Sequence, residues 1–182
     1  MNDFELSKLI ADCKANKRSA QELLYKSFYG YGMSVCLRYT SDREEAKEVL
    51  NDGFVKVFTK LNQYSLDSNF KAWFRRILIN SSIDFYRQKQ RKVELTLTEQ
   101  YAEKGIEADY YSQLSYDELI YFVQELSPIY RMVFNLYAIE GYPHEEIAQM
   151  LNISVGTSKS NLSRAKGNLR EMIVNHRKEF NI

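Results

Sequence analysis

Apolar residues recur every three or four positions along most of this chain, the spacing that buries one face of an α-helix. The clearest run lies between residues 46 and 61, and another extends from about 70 to 87. Shorter runs precede them near residues 4–13 and 23–35. The spacing resumes at residue 119 and continues to about 172, without the alternation of a strand ladder. The pattern therefore predicts an all-α fold.

Boundary signals divide these runs into separate helices. Ser41 followed by Glu44 offers a capping box for the third helix. Ser127 before Pro128 offers an N-cap with proline at the first helical position. Four further signals are a stop at Gly141, a helix start at Pro143, a turn at Asn152 and an N-cap at Ser154.

Periodicity fades between the two helical halves. Residues 93–113 are acidic, contain Gly105 and keep no consistent period. We interpret them as a flexible linker, although the alternating apolar residues of 93–97 could form a brief extended piece. The predicted organisation is therefore two small helical domains, residues 1–92 and 114–182, joined by an acidic linker at 93–113.

Composition places the protein among soluble globular proteins. Of 182 residues, 45% are hydrophobic and 27% charged. No run of about 18 apolar residues predicts a membrane span, and the N-terminus lacks the pattern of a secretory signal. Cys13 and Cys36 have no C-x-x-C spacing, so we interpret them as buried thiols in a reducing compartment, the cytoplasm.

Charge is unevenly distributed along the chain. Residues 71–92 carry seven Lys or Arg against Asp84, a net charge of +6. Residues 93–125 have a net charge of −7, and residues 154–178 one of +5. The overall +1 is therefore the sum of two basic blocks and an acidic one, a pattern that indicates binding surfaces.

The most specific motif lies at residues 143–172. A short helix, a tight turn and a longer capped helix are typical of a helix-turn-helix. One arc of the long helix carries small hydroxyls and cations, which suit approach to a groove, phosphate contact and base reading. An ordinary solvated helix face is the alternative, but acids are scarce there. The arc comprises Thr157, Lys159, Ser160, Ser163, Arg164, Lys166, Gly167 and Arg170.

The fourth predicted helix carries a second basic surface of different character. Trp73, Arg76, Asn80, Asp84 and Arg87 project within an arc of about 80°. Aromatic rings stack on bases, amides read base edges and cations follow the backbone, so this arc suits an unstacked nucleic-acid strand. The alternative is that Trp73 belongs to the core and Asn80 is a satisfied buried amide.

The third predicted helix is acidic at its start, with a net charge of −3 over residues 42–52. An acidic amphipathic helix suits protein docking better than DNA binding. Favourable acids near a helix N-terminus account for Asp42, Glu44 and Glu45, but not for Asp52.

No catalytic pattern emerges. His144 and Glu145 begin like a zinc-protease helix, but Ala148 stands where the second His is required. Gly30 and Gly32 lack the third glycine of a phosphate-binding fingerprint. We therefore predict no enzyme activity, cofactor, metal or small-molecule substrate.

Taken together, the motifs resemble those of bacterial sigma factors of the extracytoplasmic-function type, in the sigma-70 family. The resemblance covers nearly the whole chain. Its region 2 part comprises residues 46–61, Phe70-Lys71-Ala72-Trp73-Phe74, Arg76-Ile77 and Asn80. Its region 4 part comprises Leu126-Ser127-Pro128, Tyr130-Arg131-Met132-Val133-Phe134 and most of residues 145–165.

This resemblance implies a promoter-specificity subunit of RNA polymerase. Region 2 would dock on the clamp helices of the β′ subunit through Glu48, Asn51, Asp52 and Phe54. It would also capture and melt the −10 element through Asn69, Lys71, Trp73, Arg75, Arg76, Asn80 and Arg87. Region 4 would bind the β flap and read the −35 element through Thr157, Lys159, Ser160, Ser163, Arg164, Lys166 and Arg170.

Two further expectations follow from the resemblance. The acidic linker would thread toward the RNA exit path. An anti-sigma factor, membrane-anchored in many relatives, is an expected partner, while this chain itself would not insert into a membrane.

Several positions depart from the family pattern. The usual docking pair Gln-Glu is here Asn51-Asp52, and Gly53 follows in mid-helix at a cost of about 1 kcal/mol relative to Ala. Ser158 and Asn161 stand where Val and Arg are usual. The alternative function is a stand-alone helix-turn-helix regulator, which would have no use for the acidic third helix. Two basic blocks argue against a structural or adaptor protein.

Overall fold

The computed structural model describes residues 2–65, 68–95 and 116–179. Within these ranges helices are the only regular secondary structure and no strand is found, which confirms the predicted all-α class. None of the helices described there is both long enough and apolar enough to cross a membrane. The helices are α1 (Asp3–Lys14), α2 (Arg18–Cys36), α3 (Arg43–Lys60), α4 (Phe70–Leu95), α5 (Tyr116–Glu125), α6 (Pro128–Phe134), α7 (His144–Leu151) and α8 (Val155–Glu179).

The chain divides into two compact units, Met1–Asp84 and Phe85–Ile182. The first unit has an aromatic core between α2, α3 and α4. The Phe28 and Phe70 ring centroids lie 4.8 Å apart, and those of Phe54 and Phe74 lie 4.9 Å apart. All four side chains are at most 5% exposed, so the core is formed by the helices that also bear the candidate surfaces.

Two glycines allow the helices of this unit to approach closely. A Cβ at Gly53 would lie 2.5 Å from Cδ2 of Leu78 on α4. A Cβ at Gly32 on α2 would overlap Cδ1 of Leu50 and lie 3.1 Å from Cζ of Phe74. The mid-helix glycine that costs helix propensity in α3 is therefore required by packing against α4.

The cap at the N-terminus of α3 differs from the predicted capping box. Asp42, not Ser41, is the N-cap, and its Oδ1 accepts hydrogen bonds from the N–H groups of Glu44 and Glu45, both at 2.9 Å. Oε2 of Glu45 in turn accepts from the N–H of Ser41 at 3.0 Å. The helix starts one residue later than predicted because a carboxylate caps the exposed N–H groups at least as well as a hydroxyl.

Helix α4 extends farther than predicted. It continues past Arg87 to Leu95, so residues 93–95 are helical rather than linker or extended. Lys, Arg and Gln dominate residues 87–92 and have high helix propensity, so helix continues there without an apolar face. The rest of the predicted linker, residues 96–113, lies outside the described residues.

Both cysteines are free and buried, as predicted. Burial raises the pKa of the Cys13 thiol to about 11 and that of Cys36 to about 12. The thiols are therefore protonated at neutral pH.

The second unit packs α8 against α5, α6 and α7. Its core includes Phe122 and Leu126, which contact Ala165 and Leu169 of α8. Arg131 is buried, and its guanidinium donates to the carbonyl oxygens of Val123 (3.2 Å), Leu126 (2.9 Å) and Gln124. It thereby satisfies carbonyls at the C-terminus of α5, where a cation is also favoured by the helix dipole.

The predicted boundaries of the helix-turn-helix are mostly confirmed. Asn152 adopts the left-handed conformation (φ 54°) between α7 and α8, and Oγ of Ser154 accepts from the N–H of Thr157 at 2.9 Å. Gly141 has φ of 79° just after a π-helical turn, Asn135–Ile139. Ser127 occupies the N-cap position before Pro128, but its side chain makes no capping hydrogen bond.

Candidate nucleic-acid interface

The α8 outer face has the polarity that the sequence predicts. All seven predicted residues and Gly167 are exposed, whereas Leu162, Ala165 and Leu169 are buried on the opposite side. We use "α8 outer face" for the eight exposed residues: Thr157, Lys159, Ser160, Ser163, Arg164, Lys166, Gly167 and Arg170.

Two residues of α8 that depart from the family pattern, Ser158 and Asn161, are buried. Ser158 is completely buried, and its Oγ lies 2.9 Å from Nδ1 of His144 on α7. Asn161 is 7% exposed. Neither position belongs to the surface that a groove would meet, so their departures from the pattern leave the α8 outer face intact.

Hydroxyl groups order the first turns of α8. Oγ of Ser154 also lies 2.8 Å from Oγ1 of Thr157, and Oγ of Ser160 donates to the carbonyl oxygen of Thr157 at 3.0 Å. No acid occupies the first turn. The N-terminal end of α8 is therefore an exposed, acid-free helix start, where N–H groups and the helix dipole favour phosphate.

Two cations of the α8 outer face contact aromatic residues that the sequence analysis missed. Nη1 of Arg164 donates to Oη of Tyr130 on α6 at 3.5 Å. Nζ of Lys166 lies 5.9 Å from the centroid of the Tyr137 ring, and that ring stacks on His144 with centroids 4.5 Å apart. Only the seven-residue spacing of the two tyrosines could have indicated a shared helix face.

The α4 surface consists of Trp73, Arg76, Asn80 and Asp84. Arg76, Asn80 and Asp84 are exposed, so the interpretation of Asn80 as a buried amide is wrong. Trp73 is half-buried, with its ring centroid 5.1 Å from that of Tyr64. One side of the indole thus belongs to the aromatic core, while the remainder reaches the surface.

The other predicted −10 residues are placed less uniformly. Oδ1 of Asn69 accepts from the N–H of Ala72 at 3.1 Å, at the start of α4. Lys71 is exposed, with Nζ 5.7 Å from the centroid of the Tyr31 ring, and Arg75 is half-buried. Arg87 belongs to the second unit, where its Nη2 donates to the carbonyl oxygen of Met150 at 2.5 Å. Its guanidinium is therefore already engaged by main chain.

The predicted docking residues separate into two classes. Glu48, Asn51 and Asp52 are exposed on one face of α3, and Oδ1 of Asn51 accepts a hydrogen bond from Oη of Tyr25 at 3.0 Å. Phe54 is only 2% exposed and packs on Phe74, which corrects its assignment as a docking residue. It follows Leu50 by four positions, so helical geometry turns it into the core.

Val55 takes the exposed position next to these residues. It is 60% exposed on α3, three positions after Asp52 and four after Asn51, the spacing of neighbours on one helix face. We call Glu48, Asn51, Asp52 and Val55 the docking surface. It combines carboxylates, an amide and one apolar side chain, the mixed composition of a protein-binding patch.

An ion-pair network lies between α3 and α4. Nζ of Lys56 is 3.2 Å from Oδ2 of Asp52 and 3.0 Å from Oδ2 of Asp84. Burial disfavours the charge of Lys56, but its hydrogen bonds to Asp84 and Asp52 outweigh that cost and raise the pKa of its ammonium above the ordinary value. Lys56 is therefore a cation shared between the docking surface and the α4 surface.

No metal centre is found in the described ranges, where no three His, Cys, Asp or Glu side chains lie together in a way that could hold an ion.

Comparison with protein families matches two parts of the chain. The model of sigma-70 region 2 matches residues 24–92, and that of sigma-70 region 4 matches residues 116–169. The two matches include residues 70–92 of α4 and residues 155–169 of α8, the helices that bear the candidate nucleic-acid surfaces.

Individual relatives agree with the family models. The chain is 27% identical over 147 residues to the ECF RNA polymerase sigma factor SigE of Mycolicibacterium smegmatis, covering 78% of this chain but 57% of SigE. It is 26% identical to the RNA polymerase sigma factor YlaC of Bacillus subtilis, covering 91% of this chain and 98% of YlaC. The fold resembles that of the sigma factor RpoE of Bartonella quintana, solved with the anti-sigma factor NepR (TM-score 0.53, 23% identity, 84% of this chain and 95% of that one).

Proposed function

Since the chain belongs to the sigma-70 family of transcription initiation factors, with regions 2 and 4 of the extracytoplasmic-function type, we propose that it is a promoter-specificity subunit of RNA polymerase. It acts within the holoenzyme rather than alone, because two small surfaces on a tether gain affinity only when polymerase fixes their spacing. We assign core docking and −10 binding to residues 1–92, the tether to residues 96–113, which follow the end of α4, and −35 binding to 114–182.

The observation that supports this proposal most directly is the α8 outer face. It contains cations and small hydroxyls, Glu171 is the single exposed acid beside it, and its helix start is exposed and capped by Ser154. We assign −35 reading to its hydroxyls and cations, Lys159, Ser160 and Arg164 among them. A solvated bundle helix would carry acids alternating with these cations.

We assign capture of the unpaired −10 strand to the α4 surface, assisted by Lys71 and Arg75. The exposed part of Trp73 offers a stacking platform next to the guanidinium of Arg76 and the amide of Asn80. Arg87 would have to leave the Met150 carbonyl to contribute. Core polymerase would bind the docking surface, with Val55 taking the place first assigned to Phe54.

The remaining assignments follow the family. An anti-sigma factor is an expected partner, as in the solved structure with a similar fold. The β flap would bind region 4. The protein acts by binding rather than by catalysis, and we expect it to act in the cytoplasm with RNA polymerase.

The test is run-off transcription with purified core polymerase and a library of promoter fragments, with and without this protein. New specific transcripts are expected, and their upstream sequences define both elements. Absence of transcripts together with absence of core binding would favour the stand-alone regulator.

Single substitutions then test the −35 assignment. Lys159→Ala and Arg164→Ala are each expected to weaken −35-dependent initiation by about 1–3 kcal/mol, the usual value of a base contact. Lys26→Ala is the matched control, because Lys26 is an exposed lysine on α2, paired with Glu22 at 2.6 Å. Unchanged initiation by the α8 variants would exclude the assignment.

A further inference from the structure

The α4 surface contains one residue of the wrong charge for its proposed ligand. Asp84 is the only acid among residues 71–92, and its side chain is 51% exposed, one helical turn after Asn80. A carboxylate at that position repels the phosphates of a strand that follows Arg76 and Asn80. Its presence therefore requires compensation if the surface binds DNA.

Lys56 supplies that compensation from a different helix. Its Nζ lies 3.0 Å from Oδ2 of Asp84. The Lys56 side chain is 28% exposed, which is less than the exposure of either Asp52 or Asp84, the two carboxylates that it contacts. An ammonium has three N–H groups, so it can donate to Asp84 and Asp52 at once. The contact to Asp52 holds the lysine stem on the α3 side, which aims the ammonium at α4.

We infer that Lys56 is a positioning residue for promoter-strand binding: it neutralises Asp84 and thereby keeps the α4 surface open to DNA phosphates. The inference rests on the proposed function of that surface. It extends the DNA-binding machinery to a residue of α3 that is itself outside the α4 surface.

A competing explanation is that only the net charge of region 2 matters. The chain provides a matched control for it, since Lys47 lies on the same helix and pairs with Glu44 at 2.6 Å. Lys47→Gln removes the same charge as Lys56→Gln, but its partner is an acid of the α3 N-terminus rather than of α4.

The experiment measures the affinity of reconstituted holoenzyme, with core in saturating amount, for a labelled single-stranded oligonucleotide. The oligonucleotide carries the −10 element of a promoter found by run-off transcription. Lys56→Gln is expected to weaken binding about threefold to tenfold, and Lys47→Gln less than about twofold. Lys56→Arg, which keeps the charge, is expected to bind like the original protein.

Second-site variants separate charge position from total charge. Asp84→Asn in the Lys56→Gln background is expected to restore the affinity to within about twofold, because the uncompensated carboxylate is gone. Glu44→Gln in the same background restores the total charge but not the charge at Asp84, so it is expected to leave binding weak. A merely structural role for Lys56 would not respond to Asp84→Asn in this way.

Two results would overturn the inference: equal losses for Lys47→Gln and Lys56→Gln, or equal rescue by Glu44→Gln and Asp84→Asn. Failure of the proposed function has a different signature. If Arg76→Ala leaves oligonucleotide binding unchanged, the α4 surface does not bind the strand at all. If Arg76→Ala weakens binding while Lys56→Gln does not, only the role of Lys56 is refuted.

Discussion

Two glycines of α2 offer a direct test of the packing described for the first unit. Gly30 and Gly32 lie two positions apart on the same helix, yet a Cβ at Gly30 would meet nothing within 4 Å. A Cβ at Gly32 would overlap Leu50 and press on Phe74, and both of those side chains are fully buried. The same substitution, Gly→Ala, is therefore expected to have opposite effects at the two positions.

The magnitudes follow from two opposing contributions. Replacing a helix-interior glycine by alanine stabilises the helix by about 1 kcal/mol, and this applies to both positions. Overpacking of a filled core costs about 1–3 kcal/mol and applies to Gly32 alone. Gly30→Ala is therefore expected to raise the free energy of unfolding, Gly32→Ala to lower it, and their difference isolates the packing cost.

Urea unfolding followed by tryptophan fluorescence measures this difference. Trp73 is the only tryptophan in the chain, and it lies in the first unit, so its emission reports the unfolding of that unit. Midpoints are compared at a constant denaturant dependence. If both variants shift the midpoint in the same direction by similar amounts, the close approach of α2 to α3 and α4 is refuted.

Two further predictions concern the docking surface and the thiols. Asp52→Ala is expected to weaken core polymerase binding in a pull-down titration. Helical content measured by circular dichroism is expected to stay unchanged, because the Asp52–Lys56 ion pair joins two neighbouring turns of one helix at a partly exposed site and contributes little to stability. Equal affinity would remove Asp52 from the docking surface. Because burial raises the pKa of Cys36 to about 12, its thiol holds its proton more tightly in the folded than in the unfolded protein. The contribution of this protonated thiol to the free energy of unfolding is therefore fully present below the ordinary pKa of 9.0 and is lost as the pH rises toward 12. Iodoacetamide at pH 8 should accordingly alkylate the thiol only in urea, and rapid labelling of the folded protein would contradict its burial.

Periodicity predicted most of the fold, and it was more reliable than the resemblance at one position. The apolar spacing of α3 placed Phe54 with Leu50 and Val57 on the inward face, where the structure has it. The family pattern assigned the same residue to docking. At 2% exposure the Phe54 side chain belongs to the core. We therefore propose the neighbouring Val55, which is exposed, as the apolar member of the docking surface.

Features that depend on distant parts of the chain were beyond sequence reasoning. From the sequence alone, Gly53 appears only as a residue that lowers the helix propensity of α3. The close approach that explains it involves Leu78, which lies 25 positions away on another helix. The pairing of Lys56 with Asp84 spans 28 positions and depends on the distance between two helices. Local rules predicted which segments are helical and which face of each helix is buried. They carry no information on which side chains of two helices contact each other.

The aromatic contacts on the α8 outer face bear on the entropy of recognition. A lysine or arginine that becomes fixed on a ligand loses about 0.5–1.5 kcal/mol of rotamer freedom. Tyr130 and Tyr137 restrict Arg164 and Lys166 before any DNA arrives, so part of that loss is already incurred in the folded protein. Removing either ring would leave every side chain of the α8 outer face that we propose to contact DNA in place. We still expect a shorter-lived complex with DNA, with the change appearing in the entropy of binding rather than its enthalpy.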